Sequence, residues 1–291
     1  MPTSNKSMQG KVCMVTGATS GIGKATALEL ARMGATVVMV SRDRARGEAV
    51  QSEIKTKSGN DNVELLLADL SSQASIRQLA ENFQQHFTQL HVLNNNAGVY
   101  MFSRQETVDG LEMTFAVNQL APFLLTNLLL KVLKASAPAR IVNVSSGMHE
   151  SAKIDMDDLQ SKKRYTFMSA YGQSKLALVM FTYELARRLE GTGVTTNCLH
   201  PGFVATNIGQ SGVGPAGRAV VKFIFSNFGI SPEEGAKTSI YLATSPDVEG
   251  VTGKYFVKSI PKRSAAITYD ESLQRQLWDE CAKLVNLPVK V

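Results

Sequence analysis

Tyr171 and Lys175 stand four positions apart in a stretch of helical periodicity, so they project from one face and can share a ligand. A free phenol with a pKa of ~10 is a weak acid–base group at neutral pH, and an adjacent ammonium stabilises the phenolate and lowers that value. Such a pair can donate and accept a proton. Before it, an apolar run ends in Asn143-Val144-Ser145-Ser146, where a hydroxyl at Ser146 could hydrogen-bond a substrate oxygen as charge develops on it. Asn118, inside a long helical stretch, offers an amide that could hold a water linking Lys175 to solvent. Each residue also has a plain alternative: caps for the serines, a helix-bending polar group for Asn118, a surface pair for Tyr171 and Lys175. Singly those alternatives prevail; four such residues in one order argue for chemistry.

The elements that must position them alternate. Lys11 to Thr16 is a short apolar run, and a helical pattern follows through Ile22, Ala25, Leu28 and Leu30. Strand-like runs recur at Thr36 to Val40, Val63 to Leu67 and His91 to Leu93, separated by helical patterns at about 44 to 57 and 72 to 87. A helical stretch at 107 to 135 leads to Arg140 to Val144, a helix near 169 to 190 leads to Thr195 to Leu199, and a weak strand lies at Lys254 to Val257. Strands spaced by helices predict a Rossmann-type doubly wound parallel sheet with helices on both faces, since each parallel crossover needs a helix that packs back on the sheet. One domain is expected from about 10 to 291, after a flexible 1 to 9. Ligands in such folds sit at the carboxyl ends of the strands, where Ser146 falls. Two stretches break the alternation: a polar insertion at about 147 to 168, and another at 203 to 231. The second carries Val220, Val221, Ile224 and Phe228 at helical spacing, a lid over a greasy substrate, a peripheral membrane contact, or plain core or subunit packing.

Between the first strand and first helix lies Thr16-Gly17-Ala18-Thr19-Ser20-Gly21-Ile22-Gly23. A glycine-rich turn there presents backbone N–H groups of Gly17, Thr19, Ser20, Gly21, Ile22 and Gly23 to a pyrophosphate, and the helix dipole favours its charge. The second strand ends Val40-Ser41-Arg42-Asp43. Arg42 suits a ribose 2′-phosphate and Asp43 suits the cap of the next helix, which favours NADP(H) over NAD(H), with Ser41 and Arg42 as contacts. The alternative leaves Arg42 in solvent and has Asp43 read the ribose.

These segments resemble the short-chain dehydrogenase/reductase superfamily through TGATSGIG at 16 to 23, Asp69-Leu70, Asn95-Asn96-Ala97-Gly98, Asn118, Ser146, Tyr171-Gly172-Gln173-Ser174-Lys175 and Pro201-Gly202. The resemblance implies a catalytic set of Asn118, Ser146, Tyr171 and Lys175, with Tyr171 and Lys175 also meeting the cofactor. It places Asp69 and Leu70 at the adenine, Asn95 and Gly98 at the adenosine ribose with Ala97 between them, Pro201, Gly202 and Val204 along the nicotinamide, and Thr206 at the pyrophosphate or carboxamide. Ser41-Arg42-Asp43, DLQSKKRY at 158 to 165 and ELARRLEGTGVTTNCLHPG at 184 to 202 are most similar to the retinol dehydrogenase group, which implies a lipophilic substrate. The hydrophobic N-terminal anchor common there is not seen, and light-dependent protochlorophyllide reductases share several segments. An Asn94-Asn95 doublet stands where an apolar residue is usual before the Asn-Asn-Ala-Gly motif, and a small local adjustment is expected.

Composition narrows the rest. The 44% hydrophobic and 19% charged content is that of a packed globular chain, which excludes disorder and fibrous repeats. A net charge of +6 spread without a long basic block argues against nucleic acid. Cys13, Cys198 and Cys281 are far apart, which argues against a metal site or a disulfide framework and for a reducing, cytoplasmic setting. No signal peptide and no run near ~18 apolar residues is seen, so no membrane span is expected. The expected protein is an NADP(H)-dependent oxidoreductase that interconverts a small-molecule alcohol with an aldehyde or ketone, retinol dehydrogenase-like or carbonyl reductase-like. The competing reading is a nucleotide-sensing or scaffolding protein, whose expected mark would be a broken tetrad. Homo-oligomers through the long helices are open unless the insertion before Tyr171 covers that surface.

Overall fold

Successive residues of the central strands face opposite ways and both faces are buried, the signature of a parallel sheet covered by helices on two sides. Met14, Val38 and Leu93 join one core cluster, Cys13, Val37 and Val92 the other. The computed structural model describes residues 7–203 and 230–288. Val204, Thr206 and the stripe Val220, Val221, Ile224 and Phe228 lie outside the described residues.

Among the described residues eight strands form one sheet: β1 (Val12–Thr16), β2 (Thr36–Ser41), β3 (Val63–Leu67), β4 (Val92–Asn95), β5 (Ala139–Val144), β6 (Val194–His200), β7 (Tyr255–Val257) and β8 (Ile260–Lys262), in the order β3-β2-β1-β4-β5-β6-β7-β8. All neighbours are parallel except the β7–β8 hairpin, which is antiparallel. The winding reverses between β1 and β4, so their carboxyl ends splay apart and leave the crevice in which such sheets bind ligands.

The helices are α1 (Gly21–Arg32), α2 (Arg44–Ser58), α3 (Gln73–His86), α4 (Met113–Phe115), α5 (Ala121–Ala135), α6 (Phe167–Arg188), α7 (Pro232–Thr244) and α8 (Glu271–Leu284), with a π-helical turn, Ala116–Leu120, joining α4 to α5. The helix expected from residue 107 starts later, because Thr107 and Leu111 close a turn (Thr107 N–H to Leu111 C=O, 2.8 Å) and the Glu112 carboxylate caps α4 through the N–H groups of Thr114 and Phe115. The rod Met113–Ala135 has a mean hydropathy of 1.4, enough by length and composition to cross a membrane, which amends the expectation that no run approaches that size. Since 83% of that window is buried inside the fold, it serves as a core helix. The fold also begins before residue 10: Met8 is buried and its N–H bonds Met33 C=O at 3.0 Å.

Sequence periodicity did not show β8, α7 or α8. Helix α8 lays Trp278 edge-on to Phe123 of α5 (4.8 Å), stacked on Phe181 of α6 (5.7 Å) and beneath the Arg188 guanidinium (4.1 Å). The insertion at 147 to 168 turns instead toward the chain before α4. Tyr165 Oη donates to Met101 C=O at 2.6 Å, Arg104 Nε to Gln160 C=O at 3.1 Å, and the Glu112 N–H to Gln160 Oε1 at 2.8 Å.

Candidate active site

The crevice begins at Thr16, the end of β1. Its hydroxyl accepts the N–H groups of Asn96 and Ala97, both at 3.0 Å, while Asn96 Nδ2 donates to Thr16 C=O at 2.9 Å. These bonds stitch the glycine loop to the turn after β4. A Cβ at Gly23 would stand 2.4 Å from both Asn96 Nδ2 and Gly17 C=O, so glycine is required for that approach, and Gly17 holds φ at +66°. Ser20 at the N-cap of α1 makes no side-chain cap bond, whereas Asp43, Ser72, Thr166, Ser231 and Asp270 cap α2, α3, α6, α7 and α8. The first N–H groups of α1, from Gly21 onward, thus lack a side-chain cap where a phosphate would be stabilised. Thr19 and Ser20 are half-buried beside them, and Ile22 packs under the loop against Ala236 of α7.

At the end of β2 Asp43 accepts Arg46 N–H at 3.0 Å and caps α2, and Ser41 Oγ bonds the Asp43 backbone at 3.0 Å. Arg42 is exposed and in no ion pair found among the described residues. Asp69 Oδ1 accepts the Ser71 N–H and hydroxyl, and Leu70 lines a small recess with Thr16 and Ala97.

The turn after β4 corrects one expectation. The Asn95 side-chain amide braces the core, where Nδ2 donates to Asn143 Oδ1 at 2.8 Å and Thr126 Oγ1 at 3.1 Å, while the residue lines a recess with Thr16 and Ala97. The doublet causes no register adjustment, since Asn94 pairs with Val15 and Val142 in the regular ladder. Its amide is fully buried with no hydrogen-bond partner among the described residues. Gly98 opens the floor of the crevice: a Cβ there would stand 3.3 Å from both Asn118 Oδ1 and Lys175 Nζ.

Ser146 follows β5 in extended conformation, and its Oγ accepts Met148 N–H at 3.3 Å. Tyr171 and Lys175 lie near the start of α6, which Thr166 caps, and the Ser146 hydroxyl lies beside the Tyr171 phenol. Lys175 is buried, its Nζ 5.7 Å from the Tyr171 ring centre and bonded to Val144 C=O at 2.8 Å. Burial pushes Lys175 down to about 8. Burial also pushes Tyr171 up to about 12, a rise opposed by the nearby Ser146 hydroxyl and assisted by Tyr100. The expectation that Lys175 lowers Tyr171 therefore gives way, because desolvation outweighs every polar neighbour. Tyr171 is a protonated acid at neutral pH.

Asn118 is on the π turn, a helical irregularity frequent at functional sites. Its amide is already committed: Oδ1 accepts Val99 N–H at 2.8 Å, and Nδ2 donates to Val99 C=O at 2.8 Å and Ser174 Oγ at 3.0 Å. It clamps the turn after Gly98 to α6, and the expected water bridge from the amide gives way to that role. Beside Tyr171 stands an aromatic wall the sequence reading missed: Tyr100 edge-on at 5.7 Å, Phe102 5.4 Å from Tyr100, and Phe167 5.2 Å from Phe102. Its signal was weak, because two aromatic residues on one loop and one at the start of a distant helix carry no spacing. Pro201 and Gly202 follow β6 at the same end of the sheet, Gly202 at φ +93°, and Phe203 beyond them is 51% exposed. A groove of about 740 Å³ lined by Arg140, Tyr183 and Arg187 lies at the opposite end of β5 and β6 and shares none of these residues.

Residues 11–213 match the short chain dehydrogenase family. The chain belongs to the short-chain dehydrogenase family. Within this family it is 46% identical to mouse retinol dehydrogenase 14 over 291 residues, covering 96% of this chain and 87% of the relative. It is 44% identical to human polyprenol dehydrogenase over 283 residues, covering 95% and 86%. Among solved structures, a Pseudomonas aeruginosa RhlG/NADP active-site complex superposes with a TM-score of 0.69 at 27% identity, covering 87% of this chain and 96% of that one. This short-chain dehydrogenase is retinol dehydrogenase-like, an oxidoreductase of small-molecule CH–OH groups that uses a nicotinamide cofactor. The uncapped α1, the Gly23 approach and the opening at Gly98 fit such a dinucleotide.

Proposed function

We propose that this chain is an NADP(H)-dependent oxidoreductase that interconverts an alcohol with an aldehyde or ketone on a lipophilic small molecule, working in the reducing cytoplasm. The observation that carries the reading is the Tyr171 phenol beside the Ser146 hydroxyl at the mouth of the crevice, backed by buried Lys175 and flanked by the Tyr100–Phe102–Phe167 wall. The nicotinamide cofactor supplies the hydride for reduction and accepts it for oxidation. Ser146 Oγ and Tyr171 Oη together hold the substrate oxygen, and hydrogen bonds to that oxygen strengthen as it gains charge. Tyr171 gives its phenolic proton to that oxygen in reduction, and in oxidation it acts as the phenolate and takes the proton of the alcohol. Lys175 would hold a ribose hydroxyl from its place beside Gly98, and Asn118 keeps that floor in register with α6. The aromatic wall excludes water and favours an apolar substrate, in keeping with relatives named for retinol and polyprenol. Exposed Arg42 beyond β2, in no ion pair among the described residues, with Asp43 committed to capping α2, supports NADP(H) over NAD(H), as does the NADP named with the Pseudomonas neighbour.

The test is loss of NADPH absorbance with retinal, long-chain aldehydes, aliphatic ketones and steroids, repeated with NADH and with Tyr171→Phe. Turnover preferring NADPH, reduced by about 10²–10⁴ in Tyr171→Phe with NADPH binding intact, is the expected result. Full turnover in Tyr171→Phe would sink the assignment.

A further inference from the structure

Two histidines lie behind the catalytic serine and take no part in the reaction as described. His200 ends β6, and its Nδ1 accepts the Gly147 N–H at 3.0 Å. His149 closes the short 3-10 turn Gly147–His149, and its Nδ1 meets the Ser146 C=O at 2.7 Å. The Ser146 C=O and the Gly147 N–H are the two ends of one peptide group, so a single plane is gripped from both sides by imidazoles. Rotation of that plane breaks both bonds and changes ψ of Ser146, now 152°, the backbone angle next to the carbon that carries the hydroxyl. Gly147 leaves room for the grip, since a Cβ there would stand 3.3 Å from His200 Nε2.

The same bonds dictate where each ring keeps its proton. His200 Nδ1 must present a lone pair to Gly147, which places its one proton on Nε2. His149 Nε2 accepts the Ala265 N–H at 3.3 Å, which places its proton on Nδ1, donated to Ser146. The His149 ring lies edge-on to Tyr255 of β7 at 4.7 Å and is fully buried. Burial holds both histidines below the ordinary imidazole value. Glu150 opposes that shift at both rings and the two histidines repel one another's charge, while the Tyr255 phenol, itself pushed up by burial, stays neutral.

We propose that His149 and His200 are positioning residues that clamp the Ser146–Gly147 peptide plane, thereby aim the Ser146 hydroxyl at the substrate oxygen, and act only as neutral imidazoles of opposite tautomer. This rests on the reading above that Ser146 binds that oxygen. A protonated His200 turns a donor toward the Gly147 N–H, the clamp opens, and turnover falls in acid while the glycine loop, on β1, keeps its cofactor.

Three chains test it: wild type, His200→Asn, whose amide oxygen can stand in for Nδ1 and does not titrate, and His200→Leu, which offers no acceptor. The expected result is kcat in His200→Leu lowered about 10–100-fold with NADPH affinity unchanged, as for a reacting group displaced by an ångström or less. In His200→Asn kcat stays within about threefold of wild type by the same reasoning, and the fall in kcat on the acid side of the ordinary imidazole range disappears. Wild-type kcat and pH profile in His200→Leu, or His200→Asn as slow as His200→Leu, would overturn the proposal. If His200→Leu does not fold, the acid limb of His200→Asn decides: its loss supports the clamp and its persistence overturns it. Nitrogen-15 NMR of histidine-labelled protein at neutral pH, assigned with single variants of the 4 histidines, reads the tautomers without turnover. Protons on Nε2 of His200 and Nδ1 of His149 support the clamp, and a charged ring or the reverse pattern overturns it. An inactive wild type that shows the expected tautomers would refute the proposed reaction and leave the clamp standing.

Discussion

The turn after β1 and the turn after β5 sit at the same end of one sheet and are built on opposite principles. After β1 the chain withholds side chains: Ser20 caps nothing, and a Cβ at Gly23 would collide with Gly17. After β5 polar atoms are committed, with Ser146 C=O, Gly147 N–H and Met148 N–H all paired, the last with Ser146 Oγ itself. An anion site needs donors left open, whereas a proton-transfer site needs a hydroxyl that cannot turn away. Damage to the first should therefore appear in cofactor affinity, and damage to the second in turnover.

The sharpest way to break that division is Ser146→Ala, expected to lower kcat by about 10²–10³ with no change in NADPH affinity in a fluorescence titration. A matching loss of affinity would merge the two sites. Next comes Gly23→Ala, whose methyl forces apart the glycine loop and Asn96; overpacking of this kind costs about 1–3 kcal/mol. It should appear as weaker NADPH binding with kcat at saturation retained. A smaller effect is expected from Arg42→Ala, because the side chain is exposed: NADPH affinity should fall about 5–30-fold, the worth of one charge-assisted contact discounted for solvent, with NADH affinity unchanged. Equal losses for both cofactors would remove Arg42 as the selector.

The smallest effect concerns stability. Lys175 has a folded value of about 8 against 10.5 in the unfolded chain, so between those pH values the unfolded chain holds the proton more tightly and stability rises with pH; below about pH 8 the full penalty persists. Lys175→Met removes a buried charge and should raise Tm at pH 7 by about 2–4 °C for each kcal/mol recovered, while turnover is lost. A lower Tm would show that the bond to Val144 C=O outweighs the desolvation.

The same contrast explains what sequence alone could reveal. The β1 turn was readable because glycine at a strand–helix junction has a backbone reason to be there, and the strand runs from Val12 to Val144 were readable because two-sided burial leaves unbroken apolar residues. Ser146, Tyr171 and Lys175 could be paired by spacing and position, but not the burial that sets their proton affinities. Asn95 and Asn118 looked like ligand contacts and proved to be braces, since one amide serves either purpose and only its neighbours decide. His149 and His200 were invisible for the same reason: each acts through a backbone atom brought near by the fold. Helix α8 was missed because its buried positions, Gln274, Leu277, Trp278 and Cys281, form a narrow stripe among charged residues.

That helix has a consequence for how the protein is made. Phe123 and Phe181 emerge from the ribosome long before Trp278, which is separated from Phe123 by roughly half the chain, so a broad greasy face stays bare through most of synthesis. Until α8 docks, the nascent polypeptide presents a surface suited to chaperones and to its own neighbours on a polysome. A chain that stops short of residue 271 would keep the whole sheet and lack α8, which leaves Phe123 and Phe181 bare whatever the state of its catalytic residues.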